Sequence, residues 1–527
     1  MKTIPAAMTW ELLTRGRWSI IAALLGAIAF PGMMLAALQS DGNVNAEDPA
    51  MLLLNMFLAQ TGMFVVAAAV FIAQGPIARL YAYPARTSTL VACRMAPAMV
   101  TVLVVSVAAT AAINVLFQVG WPLWGTAFFL ATAFAVVQAA FWLTEKSSWV
   151  VFALTVVATP LGLWLKSRYG PMFGDPMRMW SDVTPFEALT MLAAAVTAYA
   201  VTVYGVARNR RGEPPYSIGV IDRITRYLAA SSVQDRRHQS AFRAQLWYEW
   251  QRKGWAMPVA VGVVLFMGLI IWASTNRDPH ELVQGLVAGG GMITVAGFLG
   301  GLVLGNARGK DDDFAIGSFL ASRPMTNSDL ARATLATAAM SLFIAWLMWL
   351  VVFLAALALV ATFSALPTPV IPPELGWWYF PMTFLGPWIV AALCMTAGLT
   401  GRTKLFIQMV ALLAAAYIAL TVFSNYVLNP QTQRLLEHVM ATTVGLALVL
   451  GAVWLYAKAL RRGMIHRATL LAAALAWAAA CAVVVTRWPA GGDQPLLPAY
   501  ALVAGALAIA VAPFAAAPLA IAWNRHR

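Results

Sequence analysis

Apolar runs of about 20 residues recur along the whole of this 527-residue chain. A helix of that length crosses about 30 Å of hydrocarbon, and it satisfies its own backbone hydrogen bonds where no water is present. The chain is 61% hydrophobic and only 11% charged, whereas soluble domains carry about 25% charged residues. We therefore predict an all-α integral membrane protein.

The apolar runs divide into fourteen predicted transmembrane helices. Basic residues cluster in alternate loops, which by the positive-inside rule places both termini in the cytoplasm. This clustering explains the net charge of +14, so we predict contact with a lipid bilayer and no nucleic-acid partner. The predicted spans lie at about 18–38, 51–74, 96–117, 122–143, 149–166, 186–206, 255–273, 281–305, 334–363, 382–400, 404–427, 438–460, 468–486 and 499–523.

The spans group into two halves of six and a final pair. Residues 1–206 form the first half, which begins with an amphipathic surface helix at 5–17. Residues 207–254 form a basic cytoplasmic linker that holds a second connector helix. Residues 255–460 form the second half, and residues 461–527 contribute two additional helices, expected as an accessory pair on the flank.

Two sequence matches indicate that the halves arose by duplication. In each half, two tryptophans eight residues apart precede the first span, and a polar element between the second and third spans repeats the spacing of a proline, a serine and a leucine. Six spans per half make the repeats parallel. The matched residues are Trp10 and Trp18 with Trp247 and Trp255, at an offset of 237, and Pro84, Ser88 and Leu90 with Pro324, Ser328 and Leu330, at an offset of 240.

The two polar elements, Arg79–Arg94 and Asp311–Arg332, are predicted to dock a soluble partner. In the second element three aspartates stand near the start of a predicted helix, where the helix dipole favours negative charge. Arg323-Pro324 ends that helix, and Asn327 or Ser328 is expected to cap a second short helix. The alternative is an ordinary amphipathic connector.

The second element resembles the coupling region of ABC-2 type transporter permeases. The resemblance rests on Asp313, Gly317-Ser318, Phe319-Leu320, Pro324-Met325 and Asn327–Leu330, and it extends over about residues 5–460 as two fused half-permeases. It implies export driven by a separate ABC ATP-binding subunit, in two copies, which binds ATP and Mg. The first element departs from the pattern because it lacks the acidic cluster. The implied coupling residues are Arg79, Tyr83, Pro84, Arg86, Ser88, Asp311, Asp312, Asp313, Gly317, Arg323, Pro324, Ser328 and Asp329.

The chain is not expected to hydrolyse ATP itself. It contains no G-x-x-x-x-G-K-[ST] phosphate loop. Residues 305–310 look similar, but the spacing is one residue short and Asp311 replaces the Ser or Thr. Its three cysteines show no metal-site or disulfide spacing. We therefore predict no catalytic residue, no metal site and no cofactor in this chain.

Polar residues within the predicted spans are candidates for a substrate path, because polar groups in a membrane tend to face a cavity. We select Asn55, Gln60, Gln284 and Gln408, with Gln138 and Ser424 as further polar positions. The alternative for each is a hydrogen bond between helices. The path is weakly polar, which favours a hydrophobic or amphiphilic substrate such as a drug, an antibiotic or a lipid-like molecule. No acidic residue lies deep in a predicted span, which argues against ion coupling.

Two other functions stay open at this point. A polytopic glycosyltransferase would use carboxylates in its first outward loop, where Asp41, Glu47 and Asp48 lie, although that loop is short. A fourteen-helix secondary flippase would use ion coupling and need no ATPase partner. The predicted location of the permease is the bacterial plasma (inner) membrane.

Overall fold

The computed structural model describes most of the chain as helix. It covers residues 4–40, 83–117, 120–144, 183–213, 240–273, 279–305, 325–363, 379–487 and 496–525, and six single positions between 66 and 81. These residues contain no strand, which confirms the all-α class. The helices are α1 (Ile4–Ser40), α2 (Thr87–Phe117), α3 (Trp124–Thr144), α4 (Pro185–Arg210), α5 (Ala241–Glu249), α6 (Ala256–Ala273), α7 (Pro279–Gly305), α8 (Asn327–Phe363), α9 (Tyr379–Leu399), α10 (Thr403–Val427), α11 (Pro430–Arg461), α12 (Arg467–Arg487), α13 (Leu496–Val511) and α14 (Pro513–Arg525).

Eight helical segments in the described part of the chain are long and apolar enough to cross a membrane, or nine if α13 and α14, bent by 52°, count as one span. Large apolar side chains cover the outer faces of several of them, for example Val115, Phe186 and Leu475, as expected for contact with lipid. The eight segments are Ala6–Ala29, Thr87–Leu116, Pro185–Arg210, Ala241–Ile270, Asn327–Thr362, Tyr379–Leu399, Gln431–Arg461 and Arg467–Thr486.

The structure does not show that the five other predicted spans cross a membrane. The spans at 122–143, 281–305 and 404–427 correspond to helices α3, α7 and α10, in which the described apolar stretches are shorter. The spans at 51–74 and 149–166 lie outside the described residues, apart from isolated positions of the first. The count of fourteen therefore stays a prediction.

Residues 5–17 do not form a separate surface helix. They are the first turns of α1, which continues unbroken to Ser40. No proline interrupts residues 6–30, so nothing in the backbone ends the helix before the apolar run. The second connector behaves similarly, since α5 passes through a π-helical turn at Trp250–Gly254 to α6.

The chain divides into two compact units. The first comprises Met1–Arg236 with Lys404–Val427, and the second comprises Arg237–Thr403 with Leu428–Arg527. In the first unit α1 packs on α2, and α2, α3 and α4 pack on one another.

Buried polar side chains link the helices of the first unit. Arg94 on α2, only 2% exposed, donates to Glu11 Oε2 on α1 at 3.1 Å. Gln74 Nε2 donates to the Arg94 carbonyl at 2.9 Å, and Gln138 Nε2 on α3 donates to Gln74 Oε1. For Gln138, the structure therefore shows a hydrogen bond between helices, the alternative given above to a role in the substrate path.

A glycine seam joins α7 to α9 in the second unit. Gly297, Gly301 and Gly305 stand four residues apart on one face of α7. A Cβ built at Gly301 would lie 2.6 Å from the Ala391 carbonyl oxygen, and one at Gly297 would lie 2.7 Å from the Pro387 carbonyl oxygen. The backbones of the two helices are thus in contact, as is typical of small-residue packing in membranes.

The final helices of the chain are divided between surface and interior. Helix α12 is mostly exposed, with Ala473 buried in a small cluster that includes Tyr456, and the flank position of the final pair stays a prediction. In α14, by contrast, Ala517 and Ile521 belong to the main hydrophobic core of the second unit. The break before α14 exposes carbonyls of α13, and Trp388 Nε1 and the Tyr456 hydroxyl donate to those of Ala510 and Val511 at 2.9 and 2.6 Å.

Candidate functional site: two helix junctions

The first polar element contains a short exposed turn that leads into α2. We call Tyr83–Ser88 the first junction. Tyr83, Pro84 and Arg86 are exposed, and the Arg86 carbonyl accepts the Leu90 N–H at 3.0 Å in the first turn of α2. Leu90 is fully buried in the core below. The junction therefore presents polar and aromatic groups outward from a fixed base.

An arginine at the end of α4 holds the first junction in place. Arg210 Nη1 donates to the Ala85 carbonyl at 2.9 Å and to Thr87 Oγ1 at 3.0 Å, and Nη2 donates to the Tyr83 carbonyl at 3.1 Å. The Tyr199 hydroxyl, also on α4, donates to the Ser88 carbonyl at 3.1 Å. These bonds fix the junction to α4.

Two arginines close to Arg210 in sequence bind Glu213 instead of the junction. Arg211 Nε and Arg208 Nε bind the two carboxylate oxygens of Glu213 at 2.6 and 2.9 Å. The hydrogen bond from Arg211 is the main cause that lowers the pKa of Glu213 below its ordinary value. Glu213 thus engages the arginines on either side of Arg210 and leaves Arg210 directed at the junction.

The second polar element is described only from Met325 onward. We call Met325–Asp329 the second junction. The Thr326 hydroxyl accepts the Asp329 N–H at 3.1 Å, which caps the start of α8. The same hydroxyl donates to Asp329 Oδ2 at 2.7 Å. The predicted cap at Asn327 or Ser328 is therefore wrong by one or two residues. The predicted short second helix is the beginning of α8, a helix of 37 residues.

The second junction is also held by an arginine that ends a helix. Arg525 Nη1, at the end of α14, donates to the Met325 carbonyl at 2.8 Å and to Asn327 Oδ1 at 3.1 Å. The Ser328 hydroxyl donates to the Met464 carbonyl, which follows α11. Ser328 and Asp329, both predicted as coupling residues, thus make bonds within this unit that position the junction.

The two junctions share a geometry at one sequence offset. Helix α2 begins at Thr87 and α8 at Asn327, 240 residues later. An arginine donates to the carbonyl two residues before each helix start and to the side-chain oxygen of the first helical residue. The two arginines are 315 residues apart, so α14 fills in the second unit the role of α4 in the first.

The remaining predicted coupling residues lie outside the described residues. They are Arg79, Asp311, Asp312, Asp313, Gly317, Arg323 and Pro324.

The predicted substrate path is described only in part. Asn55 and Gln60 lie outside the described residues, and Gln284 is placed on α7 by its backbone alone. Gln408 is half-buried on α10. Ser424, also on α10, is buried. Of the four selected residues, Gln284 belongs to the second unit and Gln408 to the first.

The sequence reasoning missed Arg210 and Arg525. Each is the last basic residue of an apolar helix. A basic residue at that position is also expected from the positive-inside rule alone, so the sequence did not distinguish these arginines from ordinary membrane anchors. Among the described residues, no group of three or more His, Cys, Asp and Glu side chains could hold a metal ion.

Comparisons with protein-family models, curated proteins and solved structures found no match to this chain.

Proposed function

We propose that the chain is the membrane-spanning permease subunit of an ATP-driven ABC transporter of the ABC-2 type. Two separate ATP-binding subunits would bind ATP and Mg, and would press on the two junctions from the cytoplasm. The cargo would be a hydrophobic or amphiphilic compound, exported across a bacterial inner membrane.

The observation that carries this proposal is the pair of arginine-held junctions. A partner that pushes on a membrane protein needs a rigid contact, because a loose loop would absorb the motion. Arg210 ties the first junction to α4, and Arg525 ties the second to α14. Force applied to either turn would reach two helices at once. The two junctions have the same hydrogen-bond pattern, 240 residues apart in the sequence. This similarity suits a partner that presents two similar surfaces.

The first test is co-purification. The tagged full-length chain would be extracted in mild detergent from its native membrane, and the associated proteins identified. We expect a chain with a G-x-x-x-x-G-K-[ST] loop to accompany it and to hydrolyse ATP. If no ATP-binding protein accompanies the chain, a secondary flippase becomes the better explanation.

The second test separates coupling from assembly. Replacing Asp311, Asp312 and Asp313 together by Asn should leave the complex intact and uncouple ATP hydrolysis from transport. Changing Tyr83 and Arg86 to Ala should have a smaller effect, because the first element lacks an acidic cluster. Equal effects at the two elements would contradict that asymmetry.

A matched variant addresses the enzymatic alternative. Replacing Glu47 and Asp48 by Gln and Asn would abolish activity in a glycosyltransferase of the class considered above. A permease should transport almost normally with these changes.

A further inference from the structure

We propose that the second unit holds one anionic phospholipid, with an acyl chain in an apolar cavity and the phosphate at Arg332. This proposal is independent of the transport function, because it follows from a cavity within one unit and from the charge at its end.

The cavity has a volume of about 580 Å³ and lies among helices α5, α8, α9, α12, α13 and α14. Its lining is apolar except for Arg332, and includes Trp388, Trp477 and Phe514. The two indole N–H groups bind the carbonyls of Ala510 and Ala504, each at 2.9 Å. The interior therefore offers no free indole donor, and hydrocarbon is a better occupant than water.

The cavity follows one face of α8. The residues of α8 that line it recur at the spacing of successive helical turns: Arg332, Leu335, Ala336 and Ala339. At a rise of about 1.5 Å per residue, the distance along the helix from Arg332 to Ala339 is about 10 Å. Arg332 stands near the start of this span, five residues after Asn327. The cavity thus begins beside a charged group at the end of a span and extends toward its apolar middle, as an acyl chain below a headgroup does.

A second, smaller cavity adjoins the first at Arg332. Its volume is about 80 Å³, and it shares Arg332, Leu335 and Phe514 with the larger one. It adds Thr469 and Ser328, and the Ser328 hydroxyl already donates to the Met464 carbonyl. A phosphate in this niche would lie beside the Arg332 guanidinium and the Thr469 hydroxyl, which together suit an anion rather than a second hydrocarbon chain.

Arg332 is available for such a ligand. Its recorded contact among the described residues is a long ion pair of 3.9 Å from Nη1 to Asp329 Oδ1, and the side chain is about half exposed. Asp329 already uses its other carboxylate oxygen to accept from Thr326. The guanidinium therefore keeps donors for a phosphate.

Native mass spectrometry of the full-length protein tests the proposal. The detergent-solubilised chain would be titrated with phosphatidylglycerol and with phosphatidylcholine of the same acyl chains. We expect one phosphatidylglycerol to bind about fivefold more tightly than phosphatidylcholine, the preference expected for one arginine at a membrane surface. Arg332→Gln should remove the preference. Arg434→Gln, at an exposed arginine on α11 that lines neither cavity, should keep it.

The acyl-chain part has its own test. Ala339→Trp, which would fill the cavity, should weaken binding of both lipids without changing the effect of headgroup charge. Should that variant fail to fold, phosphatidylglycerol with a photoreactive acyl chain should label peptides of α8 and α13 in the unchanged protein. Labelling spread evenly over all spans, or a preference that survives Arg332→Gln, would overturn the proposal and indicate non-specific annular lipid.

Discussion

Replacing Arg210 by Gln should loosen the first junction while leaving the bundle folded. The substitution removes three hydrogen bonds from a charged donor, at 2.9, 3.0 and 3.1 Å. Two of them end on backbone carbonyls. Because the site is only partly buried, a net value of about 0.7 kcal/mol for each bond is appropriate, or about 2 kcal/mol together. That corresponds to about a 30-fold rise in local opening.

Hydrogen exchange of the purified protein measures this opening directly. The reporter is the Leu90 N–H, bonded to the Arg86 carbonyl in the first turn of α2. The Ala188 N–H, bonded to the Thr184 carbonyl in the first turn of α4, serves as the internal reference and should not change. Arg210→Lys should give an intermediate result, because an ammonium keeps the charge but cannot donate through a planar fork.

The matched control is Arg211→Gln, one residue further along. Arg211 forms an exposed ion pair with Glu213, a kind of contact worth about 0–1 kcal/mol, and it has no recorded bond to the junction. Equal exchange at Leu90 in Arg210→Gln and Arg211→Gln would refute the idea that Arg210 fixes the first junction.

Two further predictions concern the packing of the spans. Gly301→Ala should destabilise the protein by about 1–3 kcal/mol, because the new Cβ would meet the Ala391 backbone. The control is Gly285→Ala on the same helix, where a Cβ has no other atom within 4 Å. Similar melting temperatures for the two variants would contradict the close contact of α7 and α9. Glu11→Gln should cost about 1–2 kcal/mol, because it removes the carboxylate paired with the buried Arg94, while the Glu11 side chain itself is 34% exposed. The double change with Arg94→Gln should recover part of that loss in a thermal unfolding assay.

The positions of the helices could be predicted from sequence because each apolar run is a local signal. The predicted start at 186 and the observed start at Pro185 agree closely, since Thr184 and Glu187 form a capping box there. The length of α1 was underestimated for a related reason: charged residues suggested a surface helix, but nothing between them and the apolar run breaks the backbone.

The N-cap residue of α8 could in principle have been predicted from the sequence. Thr326 and Asp329 have the spacing of a hydroxyl N-cap residue followed by a carboxylate three positions later. Asn327 and Ser328 are equally good cap residues by type, so composition alone gave no reason to prefer Thr326. The bond from the Asp329 N–H to the Thr326 hydroxyl identifies Thr326 as the cap.

The arginine contacts could not be predicted, because they join residues far apart in the chain. Arg210 lies 125 residues from Ala85, and Arg525 lies 200 residues from Met325. The two arginines are 315 residues apart, whereas the junctions are 240 residues apart. A search of the sequence at the repeat offset would therefore not lead from Arg210 to Arg525. Only the packing of α4 and α14 places them.

The last helix of the chain should therefore matter to the second junction as α4 matters to the first. Arg525→Gln removes the donor to the Met325 carbonyl and to Asn327 Oδ1, so exchange should rise at the Leu330 N–H, which binds the Thr326 carbonyl. Exchange at Leu90 should stay unchanged, and Arg210→Gln should give the reverse pattern. Arg402→Gln is the control: Arg402 stacks on Trp523 at 4.0 Å and so holds the same end of α14 without a recorded bond to the junction. If Arg402→Gln loosens the second junction as much as Arg525→Gln does, the effect comes from the docking of α14 as a whole, and the specific role assigned to Arg525 is wrong.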